Sequence, residues 1–225
     1  EVAVKLGEAG AVPVLLARRK DKLEETAGLL GRTGVLCLAV DVTDGAQVER
    51  AVEHIMTVHG RIDGWVNNAG AGKFQAFLDM PLSEFERMMD LNYMALVRCI
   101  KAVLPRMLEA GSGVIVNVAS VAGKIGTAKS AAYSASKHAA LGLSTSLRAE
   151  LAGTGVEGCA VNPGPVDTSF FDLADPSGNY VKNVGSFMIK PDRVARAVLR
   201  ALETGKADIT LPLAASWGAK LLQAF

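Results

Sequence analysis

Charge of one sign is what this 225-residue chain most plainly lacks: 24 Lys and Arg stand against 23 Asp and Glu, a formal net charge of +1. No basic stripe runs along it, which argues against nucleic acid as a partner. Cysteine is scarce. Cys37, Cys99 and Cys159 are far apart in apolar surroundings and read as buried free thiols. The three histidines, His54, His59 and His138, show no metal-ligand spacing with cysteine or carboxylate, so no metal site is expected. No apolar run is long enough to span a bilayer. Aromatics make up only 5% of residues although half the chain is hydrophobic, with Ala, Val, Leu and Gly prominent. That mix suits parallel strands covered by closely packed helices. The length fits one α/β domain over residues 1–225 rather than two.

The sequence opens at Glu1, without Met and already in a helical pattern, and stops at Phe225 within an amphipathic apolar stretch. This reading expects truncation at both termini, and with it the loss of any targeting signal at the start. Between the ends, strand and helix signals alternate. Strands are expected at 12–17, 35–40, 62–66, 114–118, 156–161 and 209–211. Helices are expected at 1–9, 20–30, 44–59, 82–110, 131–153 and 191–203. Asp44 is the expected N-cap and Gly60 the stop of the 44–59 helix, Pro191 opens the last one, and Pro105 is expected to kink the 82–110 helix. No internal repeat or linker interrupts the series. The alternation predicts a doubly wound, Rossmann-like parallel sheet in a three-layer α/β/α sandwich. In such a sheet, ligands bind beyond the carboxyl ends of the strands.

Chemistry-bearing residues fall at those ends. Asp41-Val42, Asn67-Asn68-Ala69-Gly70, Ser120 and Asn162-Pro163-Gly164 each follow an expected strand. Singly these are turn residues; four in register on one edge give room for a flat ligand close to backbone. Tyr133 and Lys137 stand four residues apart on an expected helix and so share one face. A nearby ammonium lowers a phenol's pKa from its ordinary value of about 10 and brings an acid–base catalyst closer to neutral pH. On spacing alone, an ordinary surface pair remains open.

Taken together, Asn67-Asn68-Ala69-Gly70, Asn92, Ser120, Tyr133-x-x-x-Lys137 and Pro163-Gly164 resemble the short-chain dehydrogenase/reductase family, in order and in spacing, with Ser120 and Tyr133 thirteen positions apart. The resemblance runs from Glu1 to at least Leu211. It implies that Tyr133 exchanges a proton with a carbonyl or alcohol oxygen, that Lys137 lowers the Tyr133 pKa and binds the nicotinamide ribose, and that Ser120 polarises the substrate oxygen. Asn92 would position a water linking Lys137 to solvent. Asn67, Ala69 and Gly70 would line the cofactor and stabilise the central strands, Asp41 and Val42 would contact adenine, and Pro163, Gly164, Val166 and Thr168 would hold the nicotinamide end. The family's glycine-rich turn and first strand are expected before Glu1, on the order of 15–20 residues.

An NAD site usually places an acidic residue after the strand that ends here at Ala17. Arg18 offers instead a guanidinium fork suited to a 2′-phosphate, with Arg19 assisting, so NADP(H) is expected over NAD(H). The alternative is that Arg18-Arg19-Lys20 merely opens a solvated helix. Residues 168–190, with Phe170, Phe171, Tyr180, Phe187 and Met188 and a turn at 175–178, are expected to form a substrate loop. Lys73, Phe74, Val121 and Ile125 would add to the pocket, and a nonpolar ketone or long-chain carbonyl would be the substrate. The apolar stretch 212–225 packs on the domain, covers a partner subunit or touches a membrane surface. The resemblance further implies a homodimer or homotetramer through the 82–110 and 131–153 helices, and the default location is the cytoplasm. Two rival readings stay open: an epimerase or dehydratase of the same family, and a non-catalytic dinucleotide-binding regulator.

Overall fold

Strands buried on both faces read as short apolar runs, and those runs pair here in parallel. The computed structural model describes residues 1–212. Helix α1 (Val2–Glu8) leads to β1 (Leu15–Ala17), α2 (Lys20–Leu29), β2 (Cys37–Ala39), α3 (Gly45–His59) and β3 (Gly64–Asn67). Then come α4 (Leu82–Met89), α5 (Ala95–Ala110), β4 (Gly113–Val118), α6 (Ala131–Glu150) and β5 (Val156–Pro163). Two short helices, α7 (Phe170–Ala174) and α8 (Asn179–Val184), precede α9 (Pro191–Thr204) and β6 (Asp208–Leu211). β1 pairs with β2, and β3 to β6 form a parallel sheet in chain order. Its register sets Asn67 beside Asn117, Val118 beside Val161 and Asn162 beside Thr210.

Alternation along β4 divides the interior in two. Ile115 joins a core with Val48, Val52 and Ile55 of α3, Val103 and Met107 of α5 and Leu147 of α6. The next residue, Val116, joins a second core with Cys159 and Val161 of β5 and Val198 and Ala201 of α9. Period-two side-chain direction in a strand thus makes the three layers.

Between β1 and β3 lies a cavity of about 1360 Å³, lined by Leu15, Leu16 and Ala17 on one side and Trp65, Val66 and Asn67 on the other. The two sheets do not hydrogen-bond to each other across it. Among the described residues β1, expected from Val12, forms only from Leu15 and pairs on one side alone.

Two expectations are corrected. The 82–110 helix is interrupted at Asp90–Met94 by a π-helical turn, while Pro105 lies inside α5, which continues to Ala110. Residues 168–190 are not a bare loop but carry α7, α8 and a 3-10 turn at Gly185–Phe187. The apolar stretch assigned to 212–225 lies, from 213 onward, outside the described residues. Among the described residues no helix is long and apolar enough to cross a membrane.

The caps follow the sequence signals. The Gln47 backbone N–H donates to the Asp44 side chain at 3.1 Å, and Gly60 ends α3 with φ +73°. Asp44→Ala removes the acceptor that satisfies the first turn. We expect a loss of about 1 kcal/mol, seen as a fall of roughly 2–4 °C in thermal unfolding midpoint.

Candidate active site

Within each sheet the described strands run parallel, so their carboxyl ends share one edge, and the candidate site residues gather at those ends. Arg18, Arg19, Asp41, Val42, Asn67, Asn68, Ala69 and Gly70 line the cavity between β1 and β3. Arg18 and Arg19 are exposed where β1 passes into α2. The Asp41 carboxylate accepts from the Thr43 hydroxyl at 2.7 Å and the Thr43 N–H at 3.0 Å. These bonds, with a smaller attraction from Arg18, hold its pKa below the usual carboxylate value. Pro163, Gly164, Val166 and Thr168 lie at and beyond the end of β5 and do not line this cavity. The Gly164 N–H donates to the Leu211 carbonyl at 2.7 Å, Val166 bridges Ile189, and the Phe170 N–H donates to the Thr168 hydroxyl at 3.3 Å.

Tyr133 and Lys137 both sit on α6. Lys137 is 5% exposed, and its Nζ donates to the Val118 carbonyl at the end of β4 at 3.0 Å. The same nitrogen lies 5.9 Å from the centre of the Tyr133 ring. Burial pushes the Lys137 pKa down to about 8. Gly70 keeps the approach open: a Cβ there would stand 3.1 Å from Asn92 Oδ1 and 3.5 Å from Lys137 Nζ. Tyr133, which the resemblance implies is acidified by Lys137, is partly buried among aromatic rings. Burial pushes its phenol up to about 12, a contact with the Ser120 hydroxyl pulls the other way, and Tyr180 adds a smaller upward push.

Ser120 follows β4 and caps a 3-10 turn at Val121–Gly123, its Oγ accepting from the Ala122 N–H at 3.1 Å and donating to the Pro163 carbonyl at 3.3 Å. That turn lies against α6 because residue 123 is glycine: a Cβ would come 2.6 Å from the Lys137 carbonyl oxygen. The close approach carries Ser120 to Tyr133.

Asn92 lies in the π-helical turn, a distortion that recurs at functional sites. It is 0% exposed. Its Oδ1 accepts from the Ala71 N–H at 2.9 Å, while its Nδ2 donates to the Ala71 carbonyl at 2.8 Å and to Ser136 Oγ at 2.9 Å. Both amide hydrogens are therefore committed to protein, leaving one acceptor position on Oδ1. The side chain clamps the segment after β3 onto α6. Asn67 is likewise engaged inward. It accepts from Trp65 Nε1 at 2.8 Å and donates to Asn117 Oδ1 at 2.8 Å, and Asn117 Nδ2 donates to Ser144 Oγ at 2.9 Å.

Over Tyr133 lies an aromatic cover. The Tyr133 ring centre is 5.8 Å from Phe74 and 5.7 Å from Phe170, Phe74 is 4.7 Å from Tyr180, and Tyr180 stacks on Phe171 at 5.3 Å. Of the residues expected in the substrate segment, Phe170, Phe171 and Tyr180 join this cluster, while Phe187 is 71% exposed and stands outside it. Asp175 anchors the turn between α7 and α8, accepting from the Ser177 hydroxyl and from the Tyr180 N–H at 2.6 Å. Lys73, expected in the pocket, is paired with Glu84 at 3.1 Å. Sequence reasoning passed over Ser136, Asn117, Ser144 and Gly72. Ser136 had a signal, since it lies between Tyr133 and Lys137 on one helix turn; the others are placed only by strand register and packing.

Comparison with known proteins meets this geometry. The short chain dehydrogenase family model matches residues 1–176. An uncharacterized oxidoreductase of Staphylococcus aureus (strain MRSA252) is 34% identical over 205 residues, which cover 91% of this chain and 86% of that protein. A short-chain dehydrogenase from Streptomyces avermitilis has a similar structure, with a TM-score of 0.84 at 26% identity over 99% of this chain and 88% of that one. An alcohol dehydrogenase from the archaeon Thermococcus sibiricus, complexed with 5-hydroxy-NADP, gives 0.80 at 25% identity over 93% and 89%. The Rossmann-like parallel sheet expected from the alternation of elements is the fold these structures share. This chain belongs to the short-chain dehydrogenase family and is an oxidoreductase acting on CH–OH groups with a nicotinamide dinucleotide.

Proposed function

We propose that this enzyme interconverts a nonpolar carbonyl compound and its alcohol with NADP(H), and that Tyr133 is the general acid–base. The observation that carries the reading is the meeting of Tyr133, the Ser120 hydroxyl and the buried Lys137 ammonium at the carboxyl ends of β4 and β5. In the reducing direction the Tyr133 hydroxyl gives its proton to the carbonyl oxygen, and Ser120 Oγ donates a hydrogen bond to the same oxygen as charge develops there. The Lys137 ammonium favours the phenolate left behind. The aromatic cover excludes water and must part to admit substrate. Asn92 holds a positioning role, tying Ala71 to Ser136 beside the acid–base pair.

The cofactor fits the residues in place. Arg18 and Arg19 after β1, Asp41 after β2 and Asn68 to Gly70 after β3 stand beyond the carboxyl ends of the strands, where doubly wound sheets take dinucleotides, and Gly70 leaves backbone bare beside Lys137. Arg18 and Arg19 would hold a 2′-phosphate, Asp41 and Val42 the adenine, Ala69 and Gly70 the adjoining ribose and phosphate, Lys137 the nicotinamide ribose, and Pro163, Gly164, Val166 and Thr168 the nicotinamide. The cofactor supplies the hydride. Ala17 rather than an acidic residue stands at the end of β1, which supports NADP(H), as does the NADP derivative bound to the archaeal relative.

Tyr133→Phe is expected to lower kcat by about 10²–10⁴-fold while cofactor binding, followed by nicotinamide fluorescence, persists; turnover within tenfold of the parent would refute the acid–base role. Arg18→Ala is expected to cut the kcat/KM preference for NADPH over NADH at least tenfold, and a parent enzyme that prefers NADH would sink the cofactor assignment. The Lys137 pKa gives a third outcome. Folded it is about 8, against 10.5 for the free side chain. Between those values the unfolded chain binds more protons, so Lys137 makes stability rise with pH from 8 to 10.5. The Tyr133 shift, from 10 to about 12, lowers stability only above pH 10. Thermal unfolding of Lys137→Met should lack the rise between pH 8 and 10; an unchanged rise would assign it elsewhere.

A further inference from the structure

The ground in front of Tyr133 is taken by a ring of the protein itself. Phe170, the first residue of α7, has its ring centre 5.7 Å from that of Tyr133 with planes at 53°. Its tip points at Gly72, where a Cβ would stand 2.6 Å from Cζ and 3.3 and 3.4 Å from the two Cε carbons. Gly72 is buried and is not one of the glycines at positive φ. It is therefore outside the left-handed region that favours glycine, and what a side chain there would remove is room. The room has the shape of the edge of a six-membered ring. Around it the remaining walls are aromatic: Phe171 meets Phe170 edge to face at 5.2 Å, and Phe74 and Tyr180 close the far side.

Phe170 stands on the less anchored end of its helix. Its N–H reaches only the Thr168 hydroxyl, at 3.3 Å. The other end is pinned by the Phe74 N–H to the Ala174 carbonyl at 2.8 Å and by the bonds of Asp175. A swing of Phe170 about that pinned end would uncover Tyr133 and empty the notch at Gly72.

We propose that Phe170 is a self-inserted gate and that the substrate is an aryl carbonyl, or the matching aryl alcohol, whose ring replaces Phe170 in the Gly72 notch. This rests on Tyr133 as acid–base. The substrate ring then abuts Gly72 while its carbonyl meets Tyr133 and Ser120. On reduction the carbonyl carbon receives the hydride pair and the oxygen receives the Tyr133 proton, giving the aryl alcohol. A flat ring fits where a saturated ring of the same size, thicker by its axial hydrogens, does not.

The test compares benzaldehyde with cyclohexanecarbaldehyde in steady state, using the full chain with NADPH. The parent enzyme should favour benzaldehyde at least tenfold in kcat/KM. Gly72→Val should erase most of that ratio through KM. Phe170→Ala should lower KM for benzaldehyde threefold or more, because no resident ring has to leave; a merely structural phenylalanine would lower the unfolding midpoint without improving KM. Benzyl alcohol binding by calorimetry to Tyr133→Phe, with and without Gly72→Val, reads the notch apart from turnover, and the second change should abolish the heat. If Gly72→Val does not fold, Phe170→Ala decides. A preference for the saturated ring, or a KM raised by Phe170→Ala, overturns the gate and leaves the Tyr133 reading standing. Calorimetric binding that depends on Gly72, with no turnover of any carbonyl by the parent, overturns the Tyr133 reading and leaves the notch.

Discussion

Asn117 stands 1% exposed in the middle of β4 and is bonded on both sides, accepting from Asn67 on β3 and donating to Ser144 on α6. A buried amide with an unmet hydrogen bond costs on the order of 1–3 kcal/mol, so this chain of side chains tolerates only one seating of α6 on the sheet. Trp65 extends it on one side, and Ser144, bonded to the Ala140 carbonyl, ends it on the other. Tyr133 and Lys137 lie along that helix from Ser144 toward the carboxyl edge of the sheet. Their positions relative to the end of β4 are therefore set by polar contacts two to three turns away. Gly123 completes the seating from above by letting the Ser120 turn touch the helix backbone.

Such a seating buries charge. Lys137 has one hydrogen bond to a carbonyl and little water, and its ammonium is destabilised accordingly. The same enclosure pushes the Tyr133 phenol up to about 12. The two groups are pushed in opposite directions on the pH scale by one cause, desolvation. Aromatic rings suit the cover over Tyr133 because they exclude water over a large area with few rotatable bonds.

The order of elements was legible in the sequence because it rests on local periodicity and caps. Asp44 and Gly60 bound α3 as expected, and Pro191 opens α9. Boundaries slipped where a neighbour decides them: β1 forms only along the length over which β2 pairs with it. The interruption at Asp90–Met94 carried no proline or glycine to announce it, and arises where Asn92 is drawn toward Ala71 and Ser136. Of the candidate site, the sharing of one helix face by Tyr133 and Lys137 was legible in advance, because it is a matter of helical spacing. The inward use of Asn67 was not, since it depends on which strand lies beside β3.

By itself, the sequence determined that this chain is a parallel α/β sheet with a tyrosine and a lysine on one helix face and small residues at the strand ends, because helical spacing and strand alternation are properties of adjacent residues. Tertiary structure alone decided the protonation chemistry of that pair, the commitment of Asn92 and Asn67 to the scaffold, and the ring of Phe170 in the notch at Gly72. Each of these depends on what is brought near from distant parts of the chain. Desolvation and steric room are sums over spatial neighbours, and no local pattern encodes them.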